Sequence, residues 1–287
     1  KNKMAINLPQ AYSKILDKGY TLKSLTAPAF KGKYEVVGGT TKSFKVYSTD
    51  AASLYDYSTN KNASGQGVGS FGYKYSAAGN KEQVITASQD KAFSQQIDKA
   101  DAKFSRDGSL DTKEVMRATL EESIYPTMDK YNIDALAKAA ETTAVKTLTI
   151  TKANAYETFM AMTTAQTNAR VPHKGRVAFV AASAYSLLKQ DDNFTPASEM
   201  TAKSRRDGNY GEIDGCMIIE VPDDYMPTKT TIVLTHEDAA AAPKYLSEYK
   251  QGEFGPEASG YYVAGRVVYE AFVFNKKKGA IQVLKTA

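Results

Sequence analysis

Apolar residues recur at helical spacing between Asp111 and Glu141 and predict one long helix. At about 1.5 Å per residue it would span roughly 45 Å. This helix is either the core helix of an ordinary globular protein or an extended scaffold to which smaller structural units attach. Asp111 and Glu114 suit its start, because both carboxylates reach free amides. Pro126 removes a backbone hydrogen bond and predicts a kink or break near Ile124. The apolar stripe consists of Met116, Leu120, Ile124, Met128, Tyr131 and Ala135.

Residues 33–96 carry an extended pattern with few apolar anchors. A strand, a Gly-Gly turn and a second strand are predicted first, with Phe44, Val46 and Ser48 on one face. A polar stretch rich in Gly, Ser and Asn follows, and EQVITASQ resumes a strand. We interpret this stretch either as a hairpin ordered by another subunit or as a disordered insertion. The preceding residues, Lys1 to Phe30, are predicted to form an arm that docks as a helix or reaches a neighbour.

Strands and helices alternate beyond the long helix, which predicts a small mixed sheet with helices packed against it. We also predict a closing strand at Val263–Phe274, a lysine-rich solvated turn at Asn275–Gly279, and a strand at Ala280–Leu284 that pairs back onto it. Between the long helix and this closing strand we predict a strand at Lys146–Ile150, a helix capped by Thr151 or Asn154, a strand at Arg176–Ala182, a short helix capped by Ser183, strands at Ile213–Val221 and Thr230–Thr235, and a helix at Asp238–Tyr249 interrupted by Pro243.

Composition narrows the class of protein. A chain of 287 residues with 42% hydrophobic and 24% charged residues is typical of a folded protein with a sizeable core. It contains no apolar run of the ~20 residues that a membrane span needs, and its first residues lack a signal-peptide pattern. The net charge of +5 permits contact with polyanions without requiring it. Nineteen tyrosines and no tryptophan suit either an interface or tyrosine-rich strands.

Two sequence motifs look functional but lack the context that they need. Gly67, Gly69 and Gly72 form G-x-G-x-x-G, yet no strand precedes the motif and no helix follows it, so a hairpin tip is the better interpretation. Ser105 to Glu114 resembles a calcium loop, but Lys103 occupies the position of the first carboxylate. We therefore expect neither a nucleotide cofactor nor calcium.

Candidate catalytic residues are equally few. One cysteine, Cys216, excludes an intrachain disulfide, and with His173 and His236 it is too small a set for the usual zinc site. Cys216 lies in an apolar strand without a nearby histidine, so we predict a core residue. Neither histidine fits a triad, so we expect no enzyme. Three basic residues, Lys203, Arg205 and Arg206, suit a solvated loop better than a nucleic-acid contact.

Three segments together resemble the Hong Kong 97-type major capsid proteins of tailed bacteriophages. They are SIYPTMDKYNIDALAKAA; GRVAFVAASAYSLLKQDDNF followed by GNYGEIDGCMIIEVP; and GYYVAGRVVYEAFVFNKKKGAI, and the likeness spans roughly Gln83 to Ile281. The resemblance implies an α+β fold. Its implied parts are an N-terminal arm (1–32), an extended β-hairpin loop (33–96), a peripheral domain with the long spine helix (97–145), a mixed α/β axial domain (146–249), and closing strands of the peripheral domain (250–287).

The resemblance also implies a function and partners. We expect a structural protein that assembles with itself into hexamers and pentamers of an icosahedral head enclosing double-stranded DNA. It would form in the bacterial host cytoplasm, reside in the virion, and meet a scaffolding protein, a portal and decoration proteins. Some members cross-link a loop lysine to an asparagine, and Lys61, Lys74 and Asn275 have the right types, but we carry no catalytic residue over. The alternatives are an encapsulin-type compartment shell and, in another class, a secreted binding or adhesion module.

Overall fold

A computed structural model describes residues 24–30, 43–51, 54, 79–99, 111–190, 211–255 and 259–287. We number its helices and strands in chain order. The helices are α1 (Thr112–Thr119), a π-helical segment (Leu120–Ile124), α2 (Tyr125–Ala139), α3 (Ala155–Asn168) and α4 (Ala182–Gln190). The strands are β1 (Ser43–Thr49), β2 (Asn80–Thr86), β3 (Gln89–Ile97), β4 (Val145–Thr147), β5 (Arg176–Ala181), β6 (Gly211–Ile213), β7 (Cys216–Val221), β8 (Thr230–His236), β9 (Ala240–Ala241), β10 (Lys244–Glu253), β11 (Tyr261–Tyr269), β12 (Phe272–Val273) and β13 (Gln282–Lys285).

The core lies on the two faces of a six-stranded sheet with the order β4-β13-β8-β5-β7-β6. Strand β5 is buried along its whole length, because alternate residues face opposite layers. Ala178 and Val180 pack toward α3 and α4, where Phe159 and Leu188 are buried. Val177 and Phe179 face the other layer, which α2 covers with Ile133 and Leu136. The predicted mixed sheet with helices against it is confirmed.

A second sheet, with the order β10-β11-β3, packs against the upstream part of the long helix. Met128 of α2 is buried there with Val267 and Tyr269 of β11. Gly265 lies at the centre of this sheet, where an added β-carbon would come within 2.4 Å of the Phe93 ring and 2.9 Å of the Tyr249 ring. The glycine therefore lets two aromatic rings on the flanking strands close over the middle strand.

The predicted long helix is continuous from α1 to α2, and its predicted irregularity falls just before Pro126. In the π-helical segment the Tyr125 amide donates to the Leu120 carbonyl, five residues back. The wider turn accommodates the proline, which has no N–H to continue the regular pattern. Asp111 precedes the helix, but its side chain accepts no helix amide, so the predicted reciprocal cap is wrong.

The long helix buries two faces rather than one stripe. Ile124, Met128 and Tyr131 contact the three-stranded sheet, as the spacing predicts. Ile133 and Leu136 instead contact the six-stranded sheet. The π-helical turn holds extra residues, so it rotates the downstream face relative to a 3.6-residue repeat. The helix is thus shared between two sheets, which a single stripe does not predict.

Four predicted local structures are wrong. Asp214 and Gly215 have φ of 50° and 69° and form a tight turn, so the strand predicted at Ile213–Val221 is a hairpin of β6 and β7. The predicted helix at Asp238–Tyr249 is a turn, β9 and the start of β10, because β10 pairs with β11 and tertiary pairing overrides the alanines. Strand β13 pairs with β8 and β4 rather than with the preceding strand. Ser183 lies inside α4 rather than at its cap.

Candidate assembly surfaces

The candidate catalytic residues do not come together. Cys216 is buried in β7, and burial raises the pKa of its thiol to about 12, so it is a poor nucleophile. His236 is buried, with Nε2 bonded to the Lys174 carbonyl and Nδ1 accepting from the Asp238 amide. His173 is exposed. Within the described ranges, no three His, Cys, Asp or Glu side chains are grouped as metal ligands, and no helix is long and apolar enough to cross a membrane.

Several residues named from the sequence lie outside the described residues. They are the glycines of the G-x-G-x-x-G motif, Lys103 and Ser105 of the calcium-like loop, the basic residues Lys203, Arg205 and Arg206, and the lysines Lys61 and Lys74. Asn275 is described and exposed, and its backbone amide donates to Gln83 Oε1 over 3.2 Å. The structure therefore places Asn275 at the base of the hairpin formed by β1 and β2.

This two-stranded hairpin, called the ribbon from here on, is anchored on its inner face. Ile85 is buried with Phe272 and Phe274, and Val46 packs beside it. The Gln83 side chain spans two backbone groups of the same segment, donating to the Val273 carbonyl over 2.9 Å and accepting from Asn275. Both groups of the amide are thereby used, which fixes the direction in which the ribbon leaves the body.

Charged groups hold the far end of the described ribbon. Asp50 contacts Lys81 at 3.0 Å and Lys276 at 3.1 Å, and hydrogen bonds from these two ammonium groups lower the pKa of its carboxyl. Lys276 also donates to the Thr49 carbonyl. The Asp50 amide donates to the Gly79 carbonyl over 3.0 Å, which keeps the two strands together where residues 52–78 join them. The ribbon is thus tied to the 3₁₀ turn at Asn275–Ala280.

The outer face of the ribbon combines exposed apolar side chains with charge. Tyr47 is 62% exposed and Val84 is 56% exposed. Lys45 and Glu82 form an ion pair of 3.1 Å on the same face. The two apolar side chains are diagonal neighbours on this face, because Tyr47 lies opposite Glu82 and Val84 lies opposite Lys45. The period-two alternation in the sequence predicts this division between inner and outer faces.

A buried carboxylate docks the arm segment Ser24–Phe30 on the long helix. Asp129 is 3% exposed and accepts three hydrogen bonds, from Ser24 Oγ at 2.8 Å, the Leu25 amide at 2.9 Å and Thr26 Oγ1 at 2.6 Å. Asn132 donates to Thr26 Oγ1 over 2.9 Å. Three donors compensate the carboxylate for lost water, so the arm attaches at a defined position.

A second buried carboxylate joins the ribbon, the helix and the three-stranded sheet. Glu270 accepts from the Ser88 amide at 2.7 Å, from the Ala271 amide at 3.1 Å, and from the Tyr131 hydroxyl. Burial, followed by the hydrogen bond to Glu270, raises the pKa of Tyr131. The turn between β2 and β3 is therefore fixed directly against α2.

Sequence reasoning missed Asp129, Gln83 and Glu270, the three polar residues that position the arm and the ribbon. Their partners are 104, 190 and 182 residues away in sequence. The available signal was a polar residue inside an otherwise apolar segment, as for Glu270 in VVYEAFVF. That pattern marks a buried polar group but does not identify its partner.

Comparison of structures finds similar proteins, whereas comparison of sequences does not. No protein-family model and no curated protein matches the sequence. A structure from Mycobacterium phage Che8 is 18% identical, with a TM-score of 0.75 and 98% of both chains covered. A capsid structure of the cyanophage P-SCSP1u is 12% identical, with a TM-score of 0.71 and coverage of 98% of this chain and 93% of that one. At these identities the likeness concerns the fold.

A more distant likeness reaches beyond phages. A virus-like particle from Pyrococcus furiosus is 12% identical, with a TM-score of 0.52 and 92% of each chain covered. Together the comparisons confirm the predicted α+β fold as the Hong Kong 97-type fold found in phage capsids.

Proposed function

We propose that this chain, which has the fold of phage capsid proteins, is the major structural subunit of an icosahedral phage head. The observation that carries the proposal is the structural likeness over 98% of the chain, which includes the ribbon and the arm segment as well as the sheets. Hexamers and pentamers of the chain would form the shell in the bacterial cytoplasm and enclose double-stranded DNA in the virion. The subunit acts by assembly and carries out no catalysis.

The proposed layout divides the work among parts of the chain. In this layout, neighbouring subunits are reached by the arm (1–32) and the extended loop (33–96). The body of each subunit consists of the peripheral domain (97–145 and 250–287) and the axial domain (146–249). Symmetry repeats each contact many times, so modest interfaces sum to a stable shell. A scaffolding protein, a portal and decoration proteins complete the set of proposed partners, and contact with DNA is non-specific.

The ribbon supports this proposal physically. Its inner face is fixed by Gln83 and Asp50, so it projects at a set angle before any neighbour is present. Its outer face carries Tyr47 and Val84, which are 62% and 56% exposed, and burial of the remaining apolar surface of each against a second subunit would release roughly 1 kcal/mol. An exposed element that is rigidly anchored loses little conformational freedom on assembly, which favours association.

Electron microscopy of the purified chain, alone and with its scaffolding protein, tests the proposal. We expect closed shells or ring-shaped capsomers. A monodisperse monomer at high concentration under both conditions would contradict the proposed function. Nucleic-acid content then separates a phage head from a compartment shell, because only the former packages DNA.

A double substitution tests the role of the ribbon. Replacing Tyr47 and Val84 by serine should leave thermal unfolding unchanged, since both side chains are exposed, and should abolish shells. Thr49→Ala is the matched control, because it changes an exposed position on the same face without removing a large apolar side chain. Normal shells from the double variant would refute the assignment of this face to assembly.

A compartment shell is the second candidate. The virus-like particle from Pyrococcus furiosus favours it, because a chain of similar fold forms a particle there. Particles that contain protein cargo and no nucleic acid would support this candidate over the phage head.

A further inference from the structure

A cavity of about 230 Å³ lies where the C-terminal end of α3, the turn after β8 and the 3₁₀ turn at Asn275–Ala280 meet. Three cationic residues line it, Arg170, Lys276 and Lys277, and one acidic residue, Asp238. The excess of cationic groups favours an anionic occupant. The lysine-rich turn, which the sequence suggests to be merely solvated, thus forms one wall of a concave surface.

Arg170 ends α3 in a backbone conformation that favours glycine. Its φ is 61°, its amide donates to the Thr167 carbonyl over 2.9 Å, and the Val171 amide donates to Gln166 over 3.0 Å. This pair of bonds defines a Schellman helix end, where glycine is preferred because it lacks a β-carbon. An arginine at this strained position suggests that its side chain has a use of its own.

The helix end itself does not need the charge of Arg170. Arg176 is 1% exposed and already donates to the carbonyls of Thr163, Val171 and Pro172, so a buried cation compensates the negative end of α3. Arg170 is exposed, and its side chain forms no hydrogen bond or ion pair with the described part of the chain. Its guanidinium is therefore available to a ligand.

The ammonium groups of the two lysines already have partners. Lys277 Nζ donates to the Asp238 carbonyl over 2.8 Å and lies 5.3 Å from the centre of the Phe274 ring. Lys276 binds Asp50, so an anion that draws on Lys276 competes with that carboxylate. His236 also lines the cavity, but its ring nitrogens both have backbone partners.

We propose that this cavity binds a phosphate group through Arg170, Lys276 and Lys277. A guanidinium offers paired donors that match phosphate oxygens, and the two ammonium groups add positive charge beside it. Free inorganic phosphate and a phosphodiester of a nucleic-acid strand present the same chemistry. The site belongs to a single subunit, so its existence does not depend on shell assembly.

Equilibrium dialysis of the full chain against inorganic phosphate, at constant ionic strength, tests the proposal. Arg170→Gly should weaken binding at least about fivefold, because a charge-assisted contact is lost. The same variant should unfold at an equal or higher temperature, since glycine relieves the strained helix end. Asp50→Asn should tighten binding, because Lys276 loses its competing partner. Lys174→Gln, which removes a nearby charge that does not line the cavity, is the matched control.

A second measurement separates the two sources of phosphate. Fluorescence anisotropy with a short labelled oligothymidylate should show binding to the wild type. In Arg170→Gly the slope of the logarithm of the binding constant against the logarithm of the salt concentration should be shallower by about one. Binding of inorganic phosphate without binding of the oligonucleotide would identify free phosphate as the ligand. Equal phosphate binding by the wild type and Arg170→Gly, or equal weakening by Lys174→Gln, would overturn the proposal.

Discussion

Replacing Asp129 by asparagine should release the arm segment Ser24–Phe30 from the long helix. The carboxylate accepts Ser24 and Thr26 on one oxygen and the Leu25 amide on the other. An asparagine of the same shape offers one oxygen, so if it keeps the two hydroxyls its NH₂ group faces the Leu25 amide. The partly buried amide then loses its acceptor.

The expected cost follows from these contacts. A hydrogen bond to a charged group contributes about 1.5–3 kcal/mol, and a buried donor without an acceptor costs about 1–3 kcal/mol. We expect Asp129→Asn to destabilise docking of the segment by about 2–3 kcal/mol. Since 1.4 kcal/mol corresponds to a factor of ten, the undocked population should rise about 30- to 140-fold.

Hydrogen exchange measures this change directly. The amides of Ala29 and Phe30 should exchange faster by that factor. Their hydrogen bonds to the Thr26 and Ala27 carbonyls belong to a single 3₁₀ turn, which is too short to persist once the segment leaves the long helix. Amides of β5 should change little, since they report opening of the central sheet.

Asp134→Asn is the matched control for this substitution. Asp134 lies on the same helix and forms a partly exposed ion pair with Lys138, so its loss should cost well under about 1 kcal/mol. Unchanged exchange in Asp129→Asn, or greater stability, would refute the reasoning. It would show that desolvation of the carboxylate outweighs its three hydrogen bonds.

Three further predictions concern other contacts. Gln83→Leu should lower the urea-unfolding free energy by about 1–3 kcal/mol, because two backbone groups lose their partner, whereas Gln95→Leu at an exposed position should not. Arg176→Met should cost about 1–3 kcal/mol in the same assay for each buried carbonyl that it leaves without a donor, and an unchanged midpoint would contradict this. Burial raises the pKa of Cys216 to about 12, so the neutral thiol stabilises the fold fully below about pH 9, and this contribution is lost as pH rises toward 12. Thiol labelling at neutral pH should therefore occur at the rate of global unfolding. Rapid labelling of the folded chain would contradict this prediction.

Local pattern predicted the elements whose neighbours lie close in sequence or whose faces are uniform. Strand β5 is apolar on both faces and is buried on both. Asn154 precedes α3, so the start of that helix is as predicted, but its side chain accepts from the Thr151 amide over 2.7 Å and caps no helix amide. The ribbon follows its period-two alternation. In each case the deciding interaction is local or depends only on burial.

Distant partners explain what the pattern did not predict. The alanines before β10 favour a helix by intrinsic propensity, but β10 gains a full ladder with β11. The docking role of Asp129 depends on Ser24, Leu25 and Thr26, which are about a hundred residues away. The cavity proposed to bind phosphate draws its lining from three separate segments. Such meetings are properties of the fold and leave little trace in any one window of sequence.

The position of β13 has a consequence for the order of events during synthesis. Val283 and Leu284 are fully buried, and β13 lies between β8 and β4 in the six-stranded sheet. The six-stranded sheet cannot form completely until residues 282–285 have left the ribosome. Until then the edges of β4 and β8 that pair with β13 have no partner strand. A chain interrupted before residue 282 would therefore lack a closed central sheet, so under the proposed function translation of this strand would precede competence for assembly.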